Sequence, residues 1–140
     1  MEAKAIGRNM GISKKDSVEI ASFLRGRMVS KAKDILEQVI IKKVAVPYNR
    51  FNRDRGHKRG RMAAGRYPVK ASTFILKLIK SAEMNALNKG MNTDDLYISK
   101  MIANKGIGQM RHGRFRGRSM KRTHMEVALS EIKKKEKKKK

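Results

Sequence analysis

A chain of 140 residues with 39% hydrophobic content suffices for one modest core and leaves no room for a second domain of ordinary size. Thirty-six Lys and Arg against 12 Asp and Glu give a formal net charge of +24, which calls for a partner of opposite sign, with nucleic acid leading. Cysteine is absent, which excludes disulfides and thiolate metal sites, the opening MEAKAIGRNM lacks the apolar centre of a signal peptide, and no apolar run reaches the roughly 18 residues of a membrane span, so a soluble, cytosolic chain without membrane contact is expected.

In chain order, AKAIGRNMGI (residues 3–12) is a weak strand candidate that could pair beside a hairpin. Ser13 with Asp16 three residues on resembles a capping box, and Ile20, Ala21, Phe23 and Leu24 form a helical apolar stripe that Gly26 ends. Ser30 can cap a second helix, with Ile35, Leu36, Val39 and Ile40 on one side and Lys31, Lys33, Asp34 and Glu37 largely on the other; Pro47 lies beyond its end. Pro68 suits the first turn of a third helix, in which Ala71, Phe74, Ile75, Leu78, Ile79, Ala82 and Ala86 keep the helical spacing up to Gly90, its natural C′ residue.

From Asp95 the period changes to two. Leu96, Ile98 and Ile102 alternate with Tyr97, Ser99 and Met101, although Lys100 interrupts the apolar face, and Met125, Val127 and Leu129 alternate with Glu126, Ala128 and Ser130. The two segments read as the arms of one hairpin over about 96–131, with its turn near residues 114–117. Each arm of roughly 15 to 18 residues at ~3.4 Å per residue would reach roughly 50 to 60 Å, beyond the about 30 to 40 Å diameter of such a domain. The outer half must therefore protrude, and a two-stranded ribbon without a core is ordered only when another molecule surrounds it. The predicted fold class is α+β, three helices packed on a small antiparallel sheet with a long protruding β-hairpin. Residues 1–132 are expected to form one domain, and the Lys-rich run of 133–140 a disordered tail; that tail carries +6 of the charge, so +18 remains on the rest.

Two regions hold cations without matching acids. In the hairpin these are Lys105, Arg111, Arg114, Arg116, Arg118, Lys121 and Arg122, joined by His112; in the basic loop of residues 50–70 they are Arg50, Arg53, Arg55, Lys58, Arg59, Arg61, Arg66 and Lys70, with Asp54 as the lone acid. Arg outnumbers Lys in both, and its planar fork matches phosphate oxygens and stacks on bases. His57, His112 and His124 lie in separate basic surroundings, better suited to phosphate or base contact than to catalysis, and Asp94 with Asp95 reads as a turn. No acid cluster, metal-ligand spacing or cofactor loop occurs, so no enzyme, metal or cofactor is expected. Met84, Met101 and Met125 fit core positions, while Met110 and Met120 flank the hairpin tip; Gly106, Gly108, Gly113 and Gly117 mark turns, bulges or close backbone approach.

SKKDSVEIASFLRGR followed by SKAKDILEQV, then VPYNRF, GHKRG and GRYPVKAS, FILKLIKSAEMNALNKG leading into DLYISKMIANKG, and RGRSMKRTHMEVALSE resemble, in their order and spacing, the universal large-subunit ribosomal protein L-twenty-two family in its archaeal and eukaryotic form. The segment 53–66 is longer than the bacterial pattern. The resemblance implies a structural constituent of the large ribosomal subunit in the cytoplasm, which binds ribosomal RNA, supports assembly and lines the polypeptide exit tunnel with its hairpin. Its implied partners are large-subunit ribosomal RNA, neighbouring ribosomal proteins and the nascent polypeptide, with no homo-oligomer. The alternative from another class is a nucleoid-type DNA-compacting protein, since a basic ribbon can also grip a DNA minor groove.

Overall fold

The computed structural model describes residues 1–60 and 62–131; Arg61 and the Lys-rich tail lie outside the described residues. The chain runs β1 (Glu2–Met10), α1 (Lys14–Leu24), α2 (Val29–Ile40), β2 (Val46–Pro47), β3 (Gly65–Arg66), α3 (Val69–Asn88), β4 (Leu96–Lys105) and β5 (Thr123–Glu131). β1, β5 and β4 form an antiparallel sheet in that order, and β2 pairs with β3 in a small ribbon of its own. The α+β class therefore holds, and the weak N-terminal strand candidate is a full strand beside the hairpin.

The helices meet the sheet unequally: α1 lies against β4, α3 against β1 and β5, while α2 rests mainly on α3. The shared core contains Ile20 and Leu24 of α1, Leu36 and Val39 of α2, Ile75 and Ile79 of α3, and Ile98, Met101, Met125, Val127 and Leu129 of the sheet. Phe74 and Met84, expected inside, lie on the outer side of α3, with Met84 57% exposed.

Helix ends follow tertiary contacts more than local caps. Ser13 does occupy the N-cap of α1 but makes no side-chain cap bond, and the Asp16 carboxylate that would complete the motif accepts the Tyr48 hydroxyl at 2.8 Å. Met28, not Ser30, is the N-cap of α2, since Met28 bridges to Tyr97 of the sheet. Gly26, at φ +79, turns the chain so that its amide donates to the Ile98 carbonyl while the Ile98 amide donates to Arg27, stitching the α1–α2 corner to β4. At the end of α3, Gly90 donates to Leu87 and the buried Met91 to Ala86, a Schellman closure at the expected glycine.

The sheet departs from simple alternation at one point. Between Ile98 and Lys100 the β4–β5 register slips by one residue, and the Ser99 hydroxyl donates to the Ala128 carbonyl at 3.0 Å. One extra residue exchanges the two faces downstream. Met101 is thus fully buried and Ile102, expected in the core, is 41% exposed. Met101→Ala should accordingly cost about 2–5 kcal/mol and Ile102→Ala less than about 1 kcal/mol, compared by urea unfolding; equal losses would refute the slipped register.

Candidate nucleic-acid interface

The basic loop is folded, not structureless. Tyr48 donates to Ala64, Lys58 to Ala63 and Gly65 to Gly56, so residues 48–65 return on themselves across the β2–β3 ribbon. Its first turn is held from below by Glu19 of α1, which is 2% exposed and accepts the backbone amides of Asn49, Arg50 and Phe51 at 3.2, 2.9 and 2.7 Å. Buried among three donors, this carboxylate fixes the loop against the helix. Tyr48 is buried as well, and burial together with its bond to Asp16 raises its hydroxyl well above the ordinary tyrosine range, so it stays a donor.

Cations of the loop lie over its aromatic rings, Arg55 4.8 Å from the Tyr48 centroid, Lys58 5.4 Å from Tyr67 and Arg50 5.6 Å from Phe51, and Lys15 of α1 lies 5.7 Å from the same Phe51 ring. Such stacking orders long side chains at small cost and leaves their charge outward. Arg53, Arg59 and Arg66 are exposed, whereas Arg55 and Lys58 are half-buried. Arg61 lies outside the described residues.

Beyond Lys105 and Thr123 the two strands continue as a looser ribbon. The amide of Gly106 donates to Arg122, Met120 to Gln109 and Arg111 to Arg118, Met110 bridges Ser119, and a single 3₁₀ turn over Gly113–Phe115 closes the tip. Every residue from 107 to 119 is exposed. The arms approach closely where glycine permits: a Cβ on Gly106 would lie 3.0 Å from that of Arg122, and one on Gly108 would lie 2.9 Å from the Met120 carbonyl oxygen. These two glycines thus serve contact between the arms. Gly106→Val should cost about 1–3 kcal/mol, whereas Gly117→Ala, with open space around it, should stay within about 0.5 kcal/mol. Denaturant unfolding of the two variants checks this, and a neutral Gly106→Val would show that the crossing is not tight.

Lys105, Arg111, His112, Arg114, Arg116, Arg118 and Lys121 are exposed, with Arg118 5.2 Å over the Phe115 ring. Arg122 is turned inward instead: its Nη1 donates to the Asn9 carbonyl at 3.3 Å, and its Nε is buried without a described partner. His124 likewise serves the fold, as its Nδ1 accepts the Asn9 amide at 3.0 Å. Asn9, in the left-handed region at φ 53 within the irregular end of β1, is therefore clamped on both backbone groups at the root of the ribbon. The ion pairs described, Glu2–Lys4 and Lys33–Glu83, lie on the body and involve neither basic region.

Sequence reasoning missed Glu19, Asn9 and the aromatic rings as parts of the site. Tyr48, Phe51 and Tyr67 interleaved with Arg and Lys were a visible signal for the rings. Glu19 carried none, for an acid in an amphipathic helix ordinarily faces solvent.

The family model described as "Ribosomal protein L22p/L17e" matches residues 5–130. A "Large ribosomal subunit protein uL22" of Methanococcoides burtonii is 41% identical over 137 residues, covering 93% of this chain and 89% of its own length. The protein of the same name from Methanococcus aeolicus is 40% identical over 137 residues, covering 93% and 90% respectively. That of Thermoplasma acidophilum is 48% identical over 104 residues, covering 74% and 68%. With the family model spanning both basic regions and most of the sheet, the chain belongs to the ribosomal protein L22p/L17e family.

Proposed function

We propose that this chain is a structural constituent of the large ribosomal subunit, acting in the cytoplasm by binding ribosomal RNA and supporting its assembly, without enzymatic activity. Family membership across residues 5–130 carries the reading, and relatives covering nearly the whole chain bear the name of a large-subunit protein. The DNA-compacting alternative finds no support there. The RNA-binding residues in this reading are Arg50, Arg53, Arg55, Lys58, Arg59, Arg61 and Arg66 of the loop, with Lys105, Arg111, His112, Arg114, Arg116, Arg118, Lys121 and Arg122 of the ribbon. What supports them is the combination of an exposed ribbon, cation-over-ring stacking in the loop and the absence of either region from the described ion pairs. Arg55 and Arg122 contribute mainly by shaping the surface.

In the finer form of the proposal, residues 1–132 act as one domain without self-association. The body docks among RNA and neighbouring proteins, and the ribbon, surrounded by RNA, lines the tunnel beside the nascent polypeptide. A tagged full-length chain in a cell lysate should sediment with the large ribosomal subunit on a gradient. Migration with nuclease-sensitive chromatin would refute the assignment.

A further inference from the structure

Two clefts meet at Asp16 and Pro68, which line both. The larger, about 660 Å³, lies between the ribbon's base and the start of α3, and its cations are Lys70, Arg111, Lys121 and Arg122. The smaller, about 340 Å³, belongs to the loop lobe, and its cations are Lys42, Lys58 and Arg66. The two basic regions, separate in sequence, thus abut in space. Tyr67 also lines the smaller cleft, giving it a ring beside the positive charge. A row of cations with an aromatic face is the usual platform for a single strand, whose phosphates follow the charge while a base stacks. A duplex, stiff and convex, could not enter two adjoining clefts of this size.

Among the described residues, Asp16 is the one acid that lines either cleft, and it stands at the divide. Its carboxylate accepts the Tyr48 hydroxyl at 2.8 Å, a structural task that asparagine's carbonyl could also perform. Its negative charge therefore opposes any phosphate crossing between the clefts.

We propose that one continuous stretch of single-stranded RNA crosses the Asp16–Pro68 divide with phosphates in both clefts, so that the loop lobe and the ribbon's base grip the same strand. This rests on the RNA-binding reading above. The test uses the purified full-length chain with photo-crosslinking side chains at positions 42 and 121 and a uridine oligonucleotide of roughly ten nucleotides, within the span one basic groove tracks. After illumination, mass spectrometry should find one oligonucleotide joined at both positions. Chains carrying two oligonucleotides, or joined at only one position, or unlabelled, would overturn the proposal. In a second measurement, Asp16→Asn should keep its melting temperature and bind the oligonucleotide roughly threefold more tightly, by relief of one repulsion; unchanged or weaker binding would also overturn it. Neither readout involves the ribosome, so a chain that sediments with the large subunit yet fails here refutes this inference alone.

Discussion

Glu19→Ala should lower the unfolding free energy by about 3 kcal/mol, or roughly 10 °C in Tm. The Glu19 carboxylate receives three backbone amides of the loop, at 2.7, 2.9 and 3.2 Å, in a site almost closed to water. Each bond to a charged acceptor contributes on the order of 1.5–3 kcal/mol, and the total is reduced because the freed turn can move out and hydrate. Glu19→Gln keeps one carbonyl acceptor but sets an amide donor against the remaining amides, so about half of the loss should persist. Differential scanning calorimetry gives the stability, and hydrogen exchange at residues 49–51 gives the cause: exchange there should rise ahead of the core. A Glu19→Ala protein melting within about 2 °C of the parent would mean that the loop stands without its anchor.

Deleting residues 106–120 and joining the arms by a short turn should leave the body folded while loosening RNA around the absent ribbon. Leu96, Ile98, Met101, Val127 and Leu129 remain paired on the core, and no residue from 107 to 119 is buried. The change in Tm should stay within about 5 °C, since little buried apolar area is removed. In the proposed setting, recruitment to the large subunit should survive in part through the loop lobe. RNA segments gathered around Arg111, Arg114, Arg116 and Arg118 would lose shared counterions and react more strongly with chemical probes. Reactivity rising at the outer docking site while RNA at the tunnel wall stayed protected would refute this division of labour.

Much of this fold could be read in the chain because its signals are local. The spacing from Ala71 to Ala86 and the glycine at 90 set α3 and its end, and the alternation of Met125, Val127 and Leu129 set β5. The misreadings share a cause, which is a distant partner. Nothing near Ser99 announces the slipped register, because it depends on the Ala128 carbonyl across the sheet and on the Gly26–Ile98 stitch beside it. Asp16 looked like a cap until Tyr48, 32 residues on, took its carboxylate. At the candidate interface, cation number and position were legible, but orientation was not. Arg122 and Arg118 are alike in sequence, yet one braces Asn9 and the other lies over an exposed ring. His124, taken for a nucleic-acid contact, is held by the bulged end of β1, which could not be placed before β1 was known to pair with β5.

The strand order also decides how the ribbon would respond to tension. Its returning arm runs directly into β5, which is the central strand and is bonded along both edges, to β1 on one side and β4 on the other. Antiparallel hydrogen bonds lie perpendicular to the strands, so a pull along the arm shears two ladders together and does not peel one bond at a time. The Arg122 and His124 bonds to Asn9 sit at the point where such a pull would enter the sheet. The body is therefore a mechanical root, able to hold the ribbon against a pull along its returning arm.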